Sequence, residues 1–154
     1  MEKRERSLLR RVADYQFGSG ASEALFSADG LSVTHTSSGR PRQVHADAGR
    51  LVTYAVDGRF TLGLEGGRLL HEALDGSSYR VVVGDESEPF VSDGKNTFAK
   101  FVSAADEAIR PGDEVLVVHE DGHLLAVGRA ELSGPAMLDF ETGMAVKVRE
   151  GVAE

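Results

Sequence analysis

The 154-residue chain carries 25 acidic against 17 basic side chains, a formal charge of −8, with 41% hydrophobic residues and no cysteine. That hydrophobic share calls for a folded core rather than a disordered chain, and the length suits one ordinary domain or two small ones. The lack of cysteine excludes a disulfide framework, a thiolate metal site and a cysteine nucleophile. No apolar run approaches the roughly 18 residues that span a bilayer. The start, MEKRERSLLRR, is charged and lacks the apolar stretch of a secretory signal. A cytoplasmic protein without membrane contact is therefore expected. Arginine outnumbers lysine 13 to 4, and a surface rich in acid and poor in lysine points to a halophilic source with high internal salt. There the Debye length shrinks to about 3 Å at 1 M, so net charge says little about the charge of a partner.

RERSLLRRVADYQ, residues 4–16, has the spacing of an amphipathic helix, with Leu8, Leu9, Val12 and Tyr15 or Gln16 on one face. FGSGAS breaks it, and Ser22 is placed to cap a short turn through Phe26. Strands are expected at 31–36, 43–47, 50–56 and 59–64. Asp57-Gly58 reads as a two-residue hairpin turn in which both residues take positive φ. GGRLLHEAL, residues 66–74, reads as a closing helix with Leu69, Leu70, Ala73 and Leu74 inward. The first half is therefore helix, small antiparallel sheet, helix.

The pattern changes after ALDGSSYR. Residues 1–50 carry eight basic against six acidic groups, whereas 77–154 carry seven against fifteen. YRVVV (79–83) reads as a buried strand, and ESEPFVSD (86–93) as a short helix or turn stopped by Gly94. TFAKFV (97–102) alternates as a strand would. Alternation puts Phe98, Lys100 and Val102 on one side and Thr97, Ala99 and Phe101 on the other, with Phe101 in the core. Residues 110–132 read as a hairpin around EDG, GPAMLDF as a helical turn and MAVKVRE as the last strand. Many short strands with turn signals indicate a small barrel. The fold class is α+β: a small α/β N-terminal domain at 1–76, followed by a β-barrel at 77–152.

No catalytic constellation emerges. Ser19, Ser22 and Ser133 lack a GxSxG setting. Gly18-Ser-Gly20 follows a helix rather than a strand and is neither a dinucleotide fingerprint nor a P-loop. His119 and His123 flank Glu120 and Asp121 at a hairpin tip. A zinc site needs further ligands with supporting bonds. None is evident in the chain, so these read as solvated residues and no metal or other cofactor is expected.

The ordered series YRVVVGDESEPFVSDGKNTFAKFV, IRPGDEVLVVHEDGHLLAVGRAEL and MLDFETGMAVKVREG resembles the PUA domain, an RNA-binding module, over residues 77–151. The first half, through LRRVADYQFGSGASEALF and SSGRPRQVHADAGRLVTYAVDGRFTLGLEGGRLLHEAL, resembles the domain that precedes PUA in archaeal tRNA-guanine transglycosylases, the archaeosine family. The whole chain is thus similar to the C-terminal pair of domains of that enzyme, in a haloarchaeal version. The large catalytic barrel is missing, so the resemblance implies no transglycosylase activity. It implies a non-catalytic protein that binds RNA, in particular tRNA, as an accessory to tRNA modification and alongside a tRNA-modifying enzyme. The alternative is a protein-interaction module associated with translation or the ribosome.

In PUA domains the RNA lies against the short helix and the strand after it, here Phe90 to Val102. The RNA-facing set is then Phe90, Gly94, Lys95, Asn96, Phe98, Ala99 and Lys100, extended by Arg129. Lys95 and Lys100 are two of only four lysines and suit phosphates. Asn96 suits a base edge or 2′-OH, and Phe98 a stacking face for an unpaired base. Gly94 permits close backbone approach. Lys147, and Arg40 with Arg42, are weaker candidates for backbone contact.

Overall fold

The computed structural model describes residues 2–74 and 76–153. The chain divides into two compact units, with the boundary between residues 74 and 75. Among the described residues no helix is long and apolar enough to cross a membrane.

The first unit opens with helix α1 (Lys3–Phe17), which buries Leu9, Ala13 and Phe17. A residue every fourth position lines one face of a helix. This corrects the expected face, since Leu8 and Tyr15 are exposed. The helix runs one residue beyond the expected end, and the ring of Phe17 draws the buried stripe toward itself. Gln16 ties the helix to the sheet: its side chain donates to the Phe60 carbonyl at 2.9 Å and accepts from the Phe60 amide at 2.7 Å. Helix α2 (Ala21–Phe26) follows. Ser22 does not cap it. Its amide and hydroxyl both donate to the Asp14 carboxylate, at 2.8 and 2.9 Å, so Ser22 fastens α2 to α1.

Strands β1 (Ser32–His35), β2 (Pro41–Ala46), β3 (Gly49–Tyr54) and β4 (Phe60–Leu62) form an antiparallel meander in chain order. The DG hairpin differs from a two-residue turn. The Gly58 amide donates to Ala55 at 3.0 Å and Ala55 to Arg59 at 2.9 Å. Only Gly58 takes positive φ, at 84°, as in a longer hairpin loop built on a type I turn. Helix α3 (Leu64–Ala73) buries Gly66, Gly67 and Leu70, rather than Leu69, Ala73 and Leu74. A Cβ on Gly66 would sit 2.0 Å from the Leu51 carbonyl oxygen, so the glycines bring the helix backbone onto β3. Phe26 and Phe60 meet edge to face, with centroids 6.0 Å apart, in the core.

The second unit is built on a six-stranded sheet. Its strands are β5 (Arg80–Val83), β6 (Thr97–Phe98), β7 (Val102–Ala105), β8 (Glu114–His119), β9 (Leu124–Ala130) and β10 (Met144–Gly151). Their order is β6-β10-β9-β8-β5-β7, with β5 and β8 parallel and all other neighbours antiparallel. The central strands β8 and β9 are buried along almost their whole length, as expected of strands covered on both faces. Short helices α4 (Glu88–Ser92) and α5 (Gly134–Asp139) complete the unit. The α+β architecture with a C-terminal barrel is the one expected.

TFAKFV is not one strand. β6 pairs with β10 at one edge of the sheet, a 3₁₀ turn at Ala99–Phe101 follows, and β7 pairs with β5 at the other edge. A single flat strand pairs along one line only. The turn lets one short segment serve both edges and nearly close the barrel. Closure suppresses the unpaired donors and acceptors of an open edge.

Helix α4 is seated by a glycine. A Cβ on Gly151 would lie 2.2 Å from the Ser92 carbonyl oxygen and 2.8 Å from the Gly94 amide nitrogen. The Ala153 amide donates to the same Ser92 carbonyl at 2.8 Å. Gly151→Ala should therefore push α4 off β10 and destabilise the protein by about 1–3 kcal/mol, the usual cost of overpacking. A melting temperature equal to wild type would show that the contact gives way freely.

Candidate nucleic-acid interface

The interface grows from the end of α4. Gly94 takes φ 94°, which only glycine adopts without strain. It lets the Gly94 amide reach the Val91 carbonyl at 3.0 Å and the Lys95 amide reach the Phe90 carbonyl at 3.0 Å. This pair of bonds is a Schellman stop. The stop turns the chain back at once, so Lys95 and Asn96 lie beside the helix rather than beyond it. Within α4, Val91 is buried and Phe90 is 62% exposed.

A largely apolar hollow of about 270 Å³ lies between α4 and the segment after it, with Phe90, Val91, Phe98 and Phe101 as its apolar walls. Glu86, Ser87, Lys95 and Asn96 supply its polar rim. A second hollow of about 390 Å³ shares Phe98 and Phe101 and adds Lys100 and the Glu141–Gly143 loop. Phe98 is 46% exposed and stands between the two. Thr97, its neighbour in β6, is 1% exposed, so the two side chains take opposite sides of the strand.

The 3₁₀ turn overturns the expected partition of TFAKFV. Phe101 is half-buried and lines both hollows instead of entering the core. Lys100 does not avoid it: Nζ lies 5.0 Å from the Phe101 ring centroid, within cation–π range. Among the described residues neither Lys95 nor Lys100 has a carboxylate within ion-pairing distance. In a chain of charge −8, one unneutralised lysine lines each of two adjoining aromatic hollows.

Other expected residues serve the scaffold. Ala99 is 2% exposed and its amide donates to the Gly143 carbonyl at 2.9 Å, so its side chain offers no contact surface. The Asn96 side-chain oxygen accepts from the Val148 amide at 3.0 Å, which leaves its NH₂ as the group on the rim. Arg129 and Lys147 are paired across β9 and β10. Together with Arg149 they line a hollow of about 240 Å³. Arg149 is committed to the buried Glu114 through two bonds of 2.6 and 2.9 Å, and Arg129 lies 3.2 Å from Glu131. Arg40 packs over the Tyr54 ring at 4.1 Å and donates to the carbonyls of Tyr54 and Ala55, so it holds its own hairpin. The sequence reading missed Phe101, Glu86, Ser87 and the Glu141–Gly143 loop. The loop carries no local signal, since the Phe98–Met144 pairing of β6 with β10 brings it there.

A second cluster forms where the β8–β9 hairpin tip meets the start of α4. His119 and His123 stack at 5.0 Å between centroids, 18° from parallel. The ring of His119 meets Asp85 at 2.6 Å, and that of His123 meets Glu88 at 2.8 Å and Asp121 at 2.5 Å. His119 is held more basic than an ordinary imidazole, chiefly by its bond to Asp85 and further by Asp121. His123 is raised likewise, chiefly by Glu88 and then Asp121. Asp121 is more acidic than usual, because the His123 backbone amide and then its ring donate to it.

Residues 7–76 match the family model of the patch-forming domain C2 of tRNA-guanine transglycosylase, and residues 79–152 match that of the PUA domain. The tRNA-guanine(15) transglycosylase of Pyrococcus furiosus is 52% identical over 144 residues, covering 93% of this chain and 24% of that protein. The same-named protein of Thermococcus kodakarensis is 48% identical over 157 residues, covering 99% of this chain and 27% of that protein. The chain spans about a quarter of the length of these curated relatives. Among solved structures, a hypothetical protein from Pyrococcus horikoshii superposes with a TM-score of 0.73 at 23% identity, covering 100% of this chain and 93% of that one. A conserved PUA domain protein from Thermoplasma acidophilum gives 0.65 at 21% identity, covering 97% and 91%. These two likenesses concern the fold alone.

The geometry separates Phe98 from the core. Phe98→Ala should cost only about 1 kcal/mol of stability, not the roughly 3–5 kcal/mol of a buried phenylalanine. Thermal or denaturant melts measure this directly, and a core-sized loss would remove Phe98 from the exposed surface.

Proposed function

We propose that this chain, which carries a C2 domain of tRNA-guanine transglycosylase and a PUA domain and is homologous to the C-terminal region of the archaeal enzyme, is a non-catalytic RNA-binding protein that holds tRNA against the hollow beside α4. On this reading it works in the cytoplasm as an accessory to tRNA modification, with a tRNA-modifying enzyme as its partner. Residues 1–76 form the domain preceding PUA, and residues 77–152 form the PUA domain that carries the contact surface.

One observation carries the reading. Phe90, Phe98 and Phe101 line one hollow, with Lys95 on its rim and Lys100 beside it, and neither lysine is neutralised by a carboxylate among the described residues. Aromatic faces take unpaired bases, at about 1–3 kcal/mol per stacked base. Lysines take phosphates, and each such contact releases counterions. The Asn96 NH₂ supplies a donor for a base edge or 2′-OH. The net charge of −8 opposes approach of RNA at low salt, but this long-range term is screened within about 3 Å at 1 M salt. Stacking survives there, so the reading fits a protein from a salt-rich cell. Arg129 and Lys147, on the adjoining β9 and β10, extend the surface.

The test is tRNA binding by the full chain over a series of salt concentrations. Lys95→Ala with Lys100→Ala should weaken binding similarly across RNA sequences. It should also make the salt slope shallower by about one unit per lost phosphate contact. Phe98→Ala should instead lose about 1–3 kcal/mol at every salt level with an unchanged slope. If the double lysine variant binds tRNA as wild type does throughout, the RNA face lies elsewhere. If the wild-type chain binds no RNA and co-purifies with small-subunit proteins, the protein-interaction reading replaces this one.

A further inference from the structure

The imidazoles and carboxylates at the β8–β9 tip do more than neutralise one another. We infer that they form a site for one divalent transition-metal ion of the zinc, cobalt or nickel class, with His119 and His123 as nitrogen ligands and Asp85 and Glu88 as oxygen ligands. The site draws on three separate stretches of chain: the loop after β5, the first turn of α4 and the hairpin tip. His119 Nε2 lies 2.6 Å from Asp85 Oδ1 and 3.9 Å from Glu88 Oε1. His123 Nε2 lies 2.8 Å from the other oxygen of Glu88. Glu88 thus reaches the Nε2 atoms of both histidines. Donor atoms of Asp85, Glu88 and His119 all lie within 4.8 Å of one another, as do those of His119, Asp121 and His123. A metal with ligands at about 2.0–2.2 Å replaces the protons that now bridge these pairs, and the stacked imidazoles, now 18° from parallel, turn so that both Nε2 atoms face the ion.

Asp121 completes the arrangement. Its Oδ1 lies 2.5 Å from His123 Nδ1 and 3.3 Å from His119 Nδ1. A carboxylate that accepts from Nδ1–H fixes the tautomer that leaves Nε2 free to ligate, which is the usual support of a metal-bound histidine. For His119 the Asp121 backbone amide, now 3.1 Å from Nδ1, must turn aside when that proton moves. Two imidazoles select a borderline metal over magnesium or calcium, which take oxygen ligands. Asp85 and His123 are exposed, whereas Glu88 and His119 are half-buried, so water completes the coordination sphere from the Asp85 and His123 side. Because Glu88 lies in α4, two residues before Phe90, the ion ties the hairpin tip to the helix that walls the aromatic hollow.

The experiment uses the full, untagged chain stripped of metal, and none of its readouts involves RNA. Titration with Co²⁺ should produce a visible d–d band that saturates at one equivalent and is bleached by Zn²⁺. Zn²⁺ should raise the melting temperature, and Mg²⁺ at the same concentration should not. His119→Ala with His123→Ala should abolish the band and the thermal shift while melting in chelator close to wild type. Should that variant not fold, Glu88→Gln supplies the same comparison. Asp121→Asn should retain the stoichiometry with about 10–100-fold weaker affinity. Absence of one-equivalent binding, or binding undiminished by the ligand variants, overturns the inference and leaves a purely ionic histidine–carboxylate network.

Discussion

The second unit depends on a closure constraint: a single segment of nine residues, 97 to 105, has to satisfy both edges of the sheet. Its first two residues pair with β10 and its last four with β5. The 3₁₀ turn between them is where the chain crosses from one edge to the other. The exposed aromatic surface follows from that crossing. A strand continuing straight through Ala99 and Lys100 would turn Phe101 inward and separate it from Lys100. The turn instead brings Phe98 and Phe101 to two adjoining hollows and sets Lys100 over the Phe101 ring.

Closure also depends on close backbone approach. A Cβ on Gly128 would stand 2.4 Å from the Lys147 carbonyl oxygen, and one on Gly134 would stand 2.0 Å from that of Asp106. Gly151 meets the end of α4 in the same way. Where backbones press together this tightly, hydrogen bonds and dispersion replace side-chain filling, and no Cβ fits. The short helices are thus held at fixed heights over the barrel wall. A hollow bounded by a five-residue helix and a two-residue strand can then keep its shape without large elements around it.

Charge is organised by the same geometry. Several basic groups away from the hollow are used up by the fold: Arg149 by the buried Glu114, Arg40 by its hairpin carbonyls and the Tyr54 ring, Arg129 by Glu131. Exposed pairs of the last kind contribute little, at most about 1 kcal/mol. Their consequence lies in what remains, since Lys95 and Lys100 are kept clear of carboxylates beside the aromatic walls. Two acidic groups close to the hollow are drawn to histidines, Glu88 to His123 and Asp85 to His119, while Glu86 stays on its rim.

Local chemistry was legible in the sequence. The helix stop at Gly94, the strands EVLVV and LLAVG, the hairpin at EDG and the helical turn at GPAMLDF depend on propensity, periodicity and turn residues within a few positions. Lys95, Phe90 and Phe98 were legible as surface groups for the same reason, since a short helix ending at glycine determines what its neighbours can face. Long-range pairing decided the rest. Alternation in TFAKFV was real but misleading, because a residue's side of a strand has meaning only while the strand continues, and pairing to two different edges interrupts it. The buried stripe of α1 moved to Leu9, Ala13 and Phe17 once the sheet claimed Gln16. The hairpin sequence HEDGH offered two imidazoles and local carboxylates; Asp85 and Glu88, more than 30 residues earlier in the chain, reach them only because β5 lies parallel to β8 and carries its loop to the same end of the sheet.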